Sequence, residues 1–218
     1  MHIAITGNIG AGKTTLAEML AARYGWEVLY EAVEGNPYLA DFYADMPRWA
    51  FNLQIYFLNS RFAQVKTIMA IREANRDNPR QVHTVVQDRT IYEDAAIFAR
   101  NLYQSDQMAE RDYQTYLNLF DNMMSLVQPP DLMIYLRADL PKLREQIQKR
   151  GRSFEQRISD EYLLSLNQLY DQFVDTYEQG DLLILDVNTL DYAEHPADFA
   201  EITRQIDQRL ASRSLSSR

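Results

Sequence analysis

Gly7-Asn8-Ile9-Gly10-Ala11-Gly12-Lys13-Thr14 is the stretch whose reading decides the fold. It satisfies G-x-x-x-x-G-K-[ST], with the apolar run Ile3-Ala4-Ile5 before it and Leu16, Met19 and Leu20 at helical spacing after it. Strand, glycine-rich bend and helix, in that order, form the context in which this pattern binds phosphate. Glycines let backbone N–H groups turn inward around phosphate oxygens, and the helix N-terminus adds a partial positive charge. Lys13 suits the β- and γ-phosphates of a bound nucleotide, and the Thr14 hydroxyl suits a Mg²⁺ ion beside them. The same glycines in a plain strand-to-helix turn are the competing explanation, and the strand-loop-helix context weighs against it.

Outward from the loop, short apolar runs recur at 28–30, 82–86, 132–136 and 182–185. Together with 3–5 they are read as five strands. Runs this short with β-branched residues suit buried parallel strands. Helical periodicity fills the intervals at 13–24, 47–77, 91–103, 109–127, 140–150, 159–179 and 196–211. The expected fold class is therefore α/β: a five-stranded parallel sheet with helices on both faces. At 218 residues the chain suits a single domain over 1–211. The Ser/Arg-rich tail at 212–218 is expected to be disordered.

Composition narrows the function. Acidic residues outnumber basic ones, 31 to 22, for a net charge of -9, which opposes binding to a nucleic-acid polymer or an anionic membrane. No apolar run approaches the roughly 20 residues that span a bilayer, and no secretory pattern opens the chain. Cysteine is absent, which excludes disulfides, thiolate zinc sites and a cysteine nucleophile. A cytoplasmic protein is expected. None of the four lysines lies in the Asn-Lys-x-Asp element with which guanine-nucleotide switches read their base, which argues against a GTPase.

Three further segments fall where an open α/β sheet places its ligands, near the carboxyl ends of strands. They are Tyr30-Glu31 with Glu34-Gly35-Asn36-Pro37-Tyr38-Leu39, then Arg48-Trp49-Ala50-Phe51-Asn52-Leu53-Gln54-Ile55-Tyr56, then Gln87-Asp88-Arg89-Thr90-Ile91-Tyr92-Glu93-Asp94. With the phosphate loop and Arg150-Gly151-Arg152-Ser153-Phe154-Glu155, this ordered series resembles the deoxyribonucleoside kinases, and most closely the bacterial deoxyadenosine/deoxycytidine kinases. The resemblance runs from about residue 2 to about residue 170.

That resemblance implies a P-loop kinase fold with an arginine-rich lid at about 149–158, and transfer of the ATP γ-phosphoryl group to the 5′-hydroxyl of a deoxynucleoside. Deoxyadenosine is the first expectation, deoxycytidine the second and deoxyguanosine a third. Glu31 matches the family's general base, and Arg89 and Lys13 complete the catalytic set. Asp88 would join Thr14 at Mg²⁺, and Gly7 through Thr15 would hold ATP with Arg150 and Arg152. Gln54 matches the glutamine that bonds the base. Arg61, two turns along the same helix, and Asp94 match a pair near the base edge, where a carboxylate favours adenine or cytosine over thymine. Phe98 matches an aromatic that stacks on the base, and Tyr43 with Glu155 matches the pair at the sugar 3′-hydroxyl.

Other roles are open to these residues. A strand-terminal Asp-Arg also suits a structural ion pair, and the basic run from Lys142 to Arg157 also suits a solvated helix face. Gln146 stands where some relatives carry an arginine, which leaves open how Arg150, Arg152 and Arg157 share the work. His2, His83 and His195 show no metal-ligand spacing. The apolar stretch at 109–127 fits either core or a homodimer interface, the latter usual in the family. The alternatives in function are a P-loop nucleoside monophosphate kinase and a nucleotide-binding regulator without turnover.

Overall fold

The central strand β1 (His2–Gly7) is buried along its whole length, as an apolar run covered on both faces should be. It lies between β3 (Val85–Asp88) and β4 (Leu132–Arg137), with β2 (Glu27–Leu29) beyond β3 and β5 (Leu182–Asp186) beyond β4. All four pairings are parallel. A computed structural model describes the backbone of residues 1–216 and the side chains of residues 1–212.

Alternation along β4 divides the core. Leu132, Ile134 and Leu136 pack with Leu16 and Leu20 of α1 (Lys13–Tyr24), Leu143 and Ile147 of α7 (Leu140–Arg150), and Ile202 and Ile206 of α9 (Pro196–Ser216). Met133 and Tyr135 point the other way. They pack toward Leu58 and Val65 of α3 (Met46–Asp77), Ile91 of α4 (Ile91–Glu93), Tyr116 of α6 (Glu110–Met124), and Leu166 and Tyr170 of α8 (Asp160–Asp175). Helices therefore cover both faces, as expected. The strands flanking β1 on its two sides create a crevice at their carboxyl ends, the usual ligand position in such sheets.

The departures from expectation have local causes. The third strand occupies Val85–Asp88 rather than 82–86. Val82 is exposed, and the His83 backbone is held instead by the Asn75 amide, 2.7 Å in each direction. The strand can end on polar residues because the buried Gln87 bonds His2 at 3.0 Å and Gln64 at 2.7 Å. A short unexpected helix, α2 (Leu39–Ala44), precedes α3, and Asp45 caps α3 by accepting from Arg48 N at 3.2 Å. The helix expected at 91–103 is instead α4, a π-helical segment at Asp94–Ala99 and α5 (Arg100–Gln104). The backbone of the final helix is described to Ser216; residues 217 and 218, the end of the tail expected at 212–218, lie outside the described residues. No described helix is long and apolar enough to cross a membrane.

Candidate active site

The loop from β1 to α1 has Gly10 at φ +85° and Gly12 at φ +93°, in the region that favours glycine. A Cβ on Gly10 would stand 2.8 Å from the Leu143 carbonyl, and one on Gly12 would run into the Tyr192 hydroxyl. That hydroxyl donates to the Gly12 carbonyl at 3.0 Å. Asn8 is buried and faces away from the crevice: its amide donates to the Leu163 carbonyl at 2.9 Å and to Asn167 Oδ1 at 2.7 Å on α8. Lys13 Nζ donates to the Asn8 carbonyl at 3.0 Å. Burial, then the Arg89 charge, lower its ammonium to about 8 against the pull of Asp88 and Glu31, so it remains mostly charged at neutral pH.

Beside this loop Thr14 Oγ1 donates to Asp88 Oδ2 at 2.5 Å. Asp88 Oδ1 is buried without a hydrogen-bond partner. A hydroxyl and an orphaned carboxylate oxygen at a helix N-terminus are hard oxygen donors of the kind a small divalent cation takes alongside phosphate. Among the described residues no group of three or more His, Cys, Asp or Glu is placed to hold a metal by itself.

The other side of the crevice is a network of charges. Glu31 follows β2, and its Oε1 lies 2.7 Å from Arg61 Nη2 and 2.8 Å from Arg89 Nε. Burial alone would raise the Glu31 carboxyl, but Arg89, Arg61 and Lys13 outweigh it and bring it down to about 2. Arg61 also faces Asp94, with Nε 3.6 Å from Oδ2, too far for a direct hydrogen bond. Burial is the main reason the Asp94 carboxyl is pushed up to about 7; Arg61 opposes that shift and Glu93 adds to it.

Arg61 and Gln54 are polar residues on a buried stripe. The buried positions of α3 are Ala50, Leu53, Gln54, Leu58, Arg61, Val65 and Ile68, the three-and-four spacing of one helix face. Gln54 Oε1, Arg61 Nη1 and Nε, and Asp94 Oδ2 are all buried without hydrogen-bond partners. Unpaired buried polar atoms are costly, about 1–3 kcal/mol each, and call for an explanation. The π-helical turn that carries Asp94 and Phe98 replaces the regular turn expected between them, and such turns concentrate at functional sites.

Arg89 itself sits at φ +70°, a conformation that costs a non-glycine residue on the order of 1–3 kcal/mol. Its Nη1 meets Glu93 Oε2 at 3.2 Å and the Tyr170 hydroxyl at 2.6 Å, and its guanidinium carbon lies 4.5 Å from the Phe98 ring centre. Phe98 thus faces Arg89 as well as the crevice. Tyr43 stacks on Phe154 at 5.9 Å, and burial raises its phenol well above the ordinary value, so it stays protonated. Glu155 receives Arg150 at 2.7 Å and Arg152 at 3.3 Å.

One cavity of about 850 Å³ joins the two sides. Ile9, Gly10, Gly12, Lys13, Thr14 and Thr15 line it, as do Glu31, Tyr43, Gln54, Asp88, Arg89, Asp94, Phe98, Arg150, Arg152 and Glu155. Gly7, Asn8 and Ala11 shape the loop from behind, and Arg61 is fully buried behind Glu31 and Asp94. The basic run is divided: Lys149 joins Arg150 and Arg152 at the cavity, while Arg144 pairs with Asp160 and Lys142 with Glu145. Arg157 is exposed and does not line it. Glu93, Tyr170, Tyr192 and Asn167 also support the site, and sequence reading did not single them out. For Glu93 a signal was present, since Thr90-x-x-Glu93 is a capping box, seen here with the carboxylate accepting from Thr90 N at 2.8 Å.

With this geometry in view, the family comparison is decisive: the deoxynucleoside kinase model matches residues 3–211. The chain belongs to the deoxynucleoside kinase family. Among similar members, the deoxyadenosine/deoxycytidine kinase of Bacillus subtilis (strain 168) is 38% identical over 206 residues, covering 94% of this chain and 90% of that protein. The deoxyadenosine kinase of Lactobacillus acidophilus is 35% identical over 217 residues, covering 95% of each. A solved deoxyadenosine kinase from M. mycoides with bound dATP superposes with a TM-score of 0.78 at 31% identity, covering 95% of this chain and 99% of that one. The deoxynucleoside kinase fold, with its five parallel strands, is the fold of this chain.

Proposed function

We propose that this protein transfers the γ-phosphoryl group of ATP to the 5′-hydroxyl of a deoxynucleoside in nucleotide salvage, with deoxyadenosine as the preferred acceptor, deoxycytidine next and deoxyguanosine third. The observation that carries this reading is one cavity of about 850 Å³ with a phosphate loop at one side, unpaired polar groups suited to a base at the other and Glu31 between them. The M. mycoides relatives, solved with dATP or with dCMP and dCDP, support adenine and cytosine as the bases.

In this reading the 5′-oxygen bonds to the γ-phosphorus as the bond to the bridging β–γ oxygen breaks. Arg61 and Arg89 both act on Glu31 Oε1, which leaves Oε2 to take the hydroxyl hydrogen bond and then its proton. A carboxylate held at about 2 is a weak base, so Glu31 aligns the hydroxyl as much as it deprotonates it. Transfer through a loose transition state asks mainly for alignment and neutralised charge, which Lys13, Arg89 and the lid arginines Arg150 and Arg152 provide. Thr14 and Asp88 would hold Mg²⁺, whose contribution is to neutralise phosphate charge. Gln54 and Asp94 read the base edge, Phe98 packs on the base, and Tyr43 with Glu155 meets the sugar, where a ring near C2′ disfavours ribose.

Residues 1–211 work as one kinase domain whose lid spans about 149–158. A homodimer fits the exposed Leu119 and Leu126 on and beyond α6 and Met69 on α3. A reducing cytoplasm fits a chain without cysteine. The test is an initial-rate panel of four deoxynucleosides, their ribose counterparts and the monophosphates, with ATP and Mg²⁺. Turnover of deoxyadenosine and deoxycytidine above all others is expected. Turnover confined to monophosphates, or ATP binding with no ADP formed, would overturn the proposal.

A further inference from the structure

We propose that Glu93 and Tyr170 are positioning residues that hold Arg89 in register with the phosphate loop, using one face of α8 as the spacer. The inference rests on the kinase reading, since it concerns how the arginine of that site is set.

Glu93 is fully buried, and a buried carboxylate needs a partner. Its Oε1 accepts from Thr90 N at 2.8 Å, and its Oε2 accepts from the Tyr170 hydroxyl at 2.7 Å and lies 3.2 Å from Arg89 Nη1. The Tyr170 hydroxyl is therefore directional: it donates to the carboxylate and accepts from the guanidinium at 2.6 Å. Burial raises this phenol well above its ordinary value, with the Arg89 charge opposing, so the donor proton stays in place. Arg89 Nε lies in an ion pair with Glu31 at 2.8 Å without hydrogen-bond geometry, and Nη1 is hydrogen-bonded to this pair, which leaves Nη2 as the guanidinium nitrogen with neither kind of partner among the described residues. A planar guanidinium hydrogen-bonded twice through Nη1 and facing a carboxylate at Nε presents Nη2 in a fixed direction.

The spacer follows from where these contacts sit. Asn8, in the phosphate loop, is held by the Leu163 carbonyl at 2.9 Å and by Asn167 at 2.7 Å, while Tyr170 holds Arg89. Positions 163, 167 and 170 lie four and three residues apart, on one face of a helix. One rigid surface thus grips both the loop that orients the donor and the arginine that meets the transferred group. The same helix follows directly on the turn containing Glu155, which holds Arg150 and Arg152.

The experiment uses Tyr170→Phe, which deletes one hydroxyl and keeps the ring stacked on Tyr135 at 5.7 Å. About a tenfold fall in kcat is expected, with both KM values changed by less than about twofold, as for lost alignment rather than lost binding. In an Arg89→Lys background the same change should have no further effect, because it acts through the guanidinium. Glu93→Gln, similar in shape, should also lower kcat and lose its effect in that background. Without any substrate, ¹⁵N relaxation of Arg89 Nε should show an ordered group in the parent and a mobile one in Tyr170→Phe. Unchanged relaxation, or an equal kcat loss in both backgrounds, would overturn the positioning role. If the parent phosphorylates no deoxynucleoside, the kinase reading fails, and the relaxation measurement still decides whether Tyr170 positions Arg89.

Discussion

The phosphate loop is a run of consecutive residues, 7 to 14, built largely from backbone, whereas the proposed acceptor pocket collects side chains from the ends of β2 and β3, from α3 and from the π-helical turn. In the loop, glycine conformations and close backbone approach set the shape. In the pocket, shape is set by buried charges that restrain one another, with Arg61 and Arg89 converging on a single oxygen of Glu31. Changes to the loop should therefore act on ATP binding, and changes to the pocket on turnover and base choice. A pocket charge removed alone leaves its partner buried without compensation, a larger disturbance than the loss of one contact.

The largest effect is expected at Glu31. Glu31→Gln should lower kcat by roughly 10²-fold or more while deoxynucleoside binding survives, measured by turnover and by calorimetry. Near-normal turnover would move the site's chemistry away from the pocket. Next is Gly12→Ala, which meets both the Tyr192 hydroxyl and a left-handed φ of +93°. ATP affinity should fall about tenfold, as a backbone cost of about 1–2 kcal/mol implies, with deoxynucleoside affinity nearly unchanged. Adding Tyr192→Phe should restore only part of the loss, since the backbone conformation remains unfavourable. Full restoration would show that side-chain crowding, not the backbone, shapes the loop.

A subtler effect follows from Asp94, whose carboxyl burial raises from 3.8 to about 7. Between these values the unfolded chain has released its proton and the folded chain has not, so this group's contribution to stability falls as pH rises from about 4 to about 7. His2, which burial lowers from 6.5 to about 4, gives the opposite slope in nearly the same window. It is present in both parent and Asp94→Asn, so its contribution cancels in their difference. Urea denaturation across this range should show the parent losing more than about 1 kcal/mol relative to the variant. Parallel curves would mean that Asp94 is ionised throughout. On the activity side, Asp94→Ala should reduce kcat/KM for adenine and cytosine substrates more than for thymidine.

The same contrast explains what could be read before the fold was known. Local features were legible: the loop from spacing, α1 and α7 to the residue, and a parallel sheet from short apolar runs. The third strand was misplaced because Gln87 and Asp88 do not look like strand residues until their buried partners are known. Family resemblance points to Gln54 and Arg61, whereas the physical sign, two polar residues on a buried helical stripe, needs the packing of α3 to become visible. The π-helical turn left no trace in periodicity. Glu93 and Tyr170 lie 77 positions apart, and nothing local connects a capping box to a tyrosine on a distant helix.

Arg61 stands between Glu31, the carboxylate proposed to take the hydroxyl, and Asp94, the carboxylate proposed to read the base. With those proposed roles, neutralising or reversing Asp94 would leave this guanidinium, already 2.7 Å from Glu31, without its second carboxylate and so alter the electrostatics around Glu31. On the proposed roles, selectivity and speed share this one hinge. Variants selected for a new base should be slow at first, and recovery of speed should come through second changes around Arg61 rather than at the base itself.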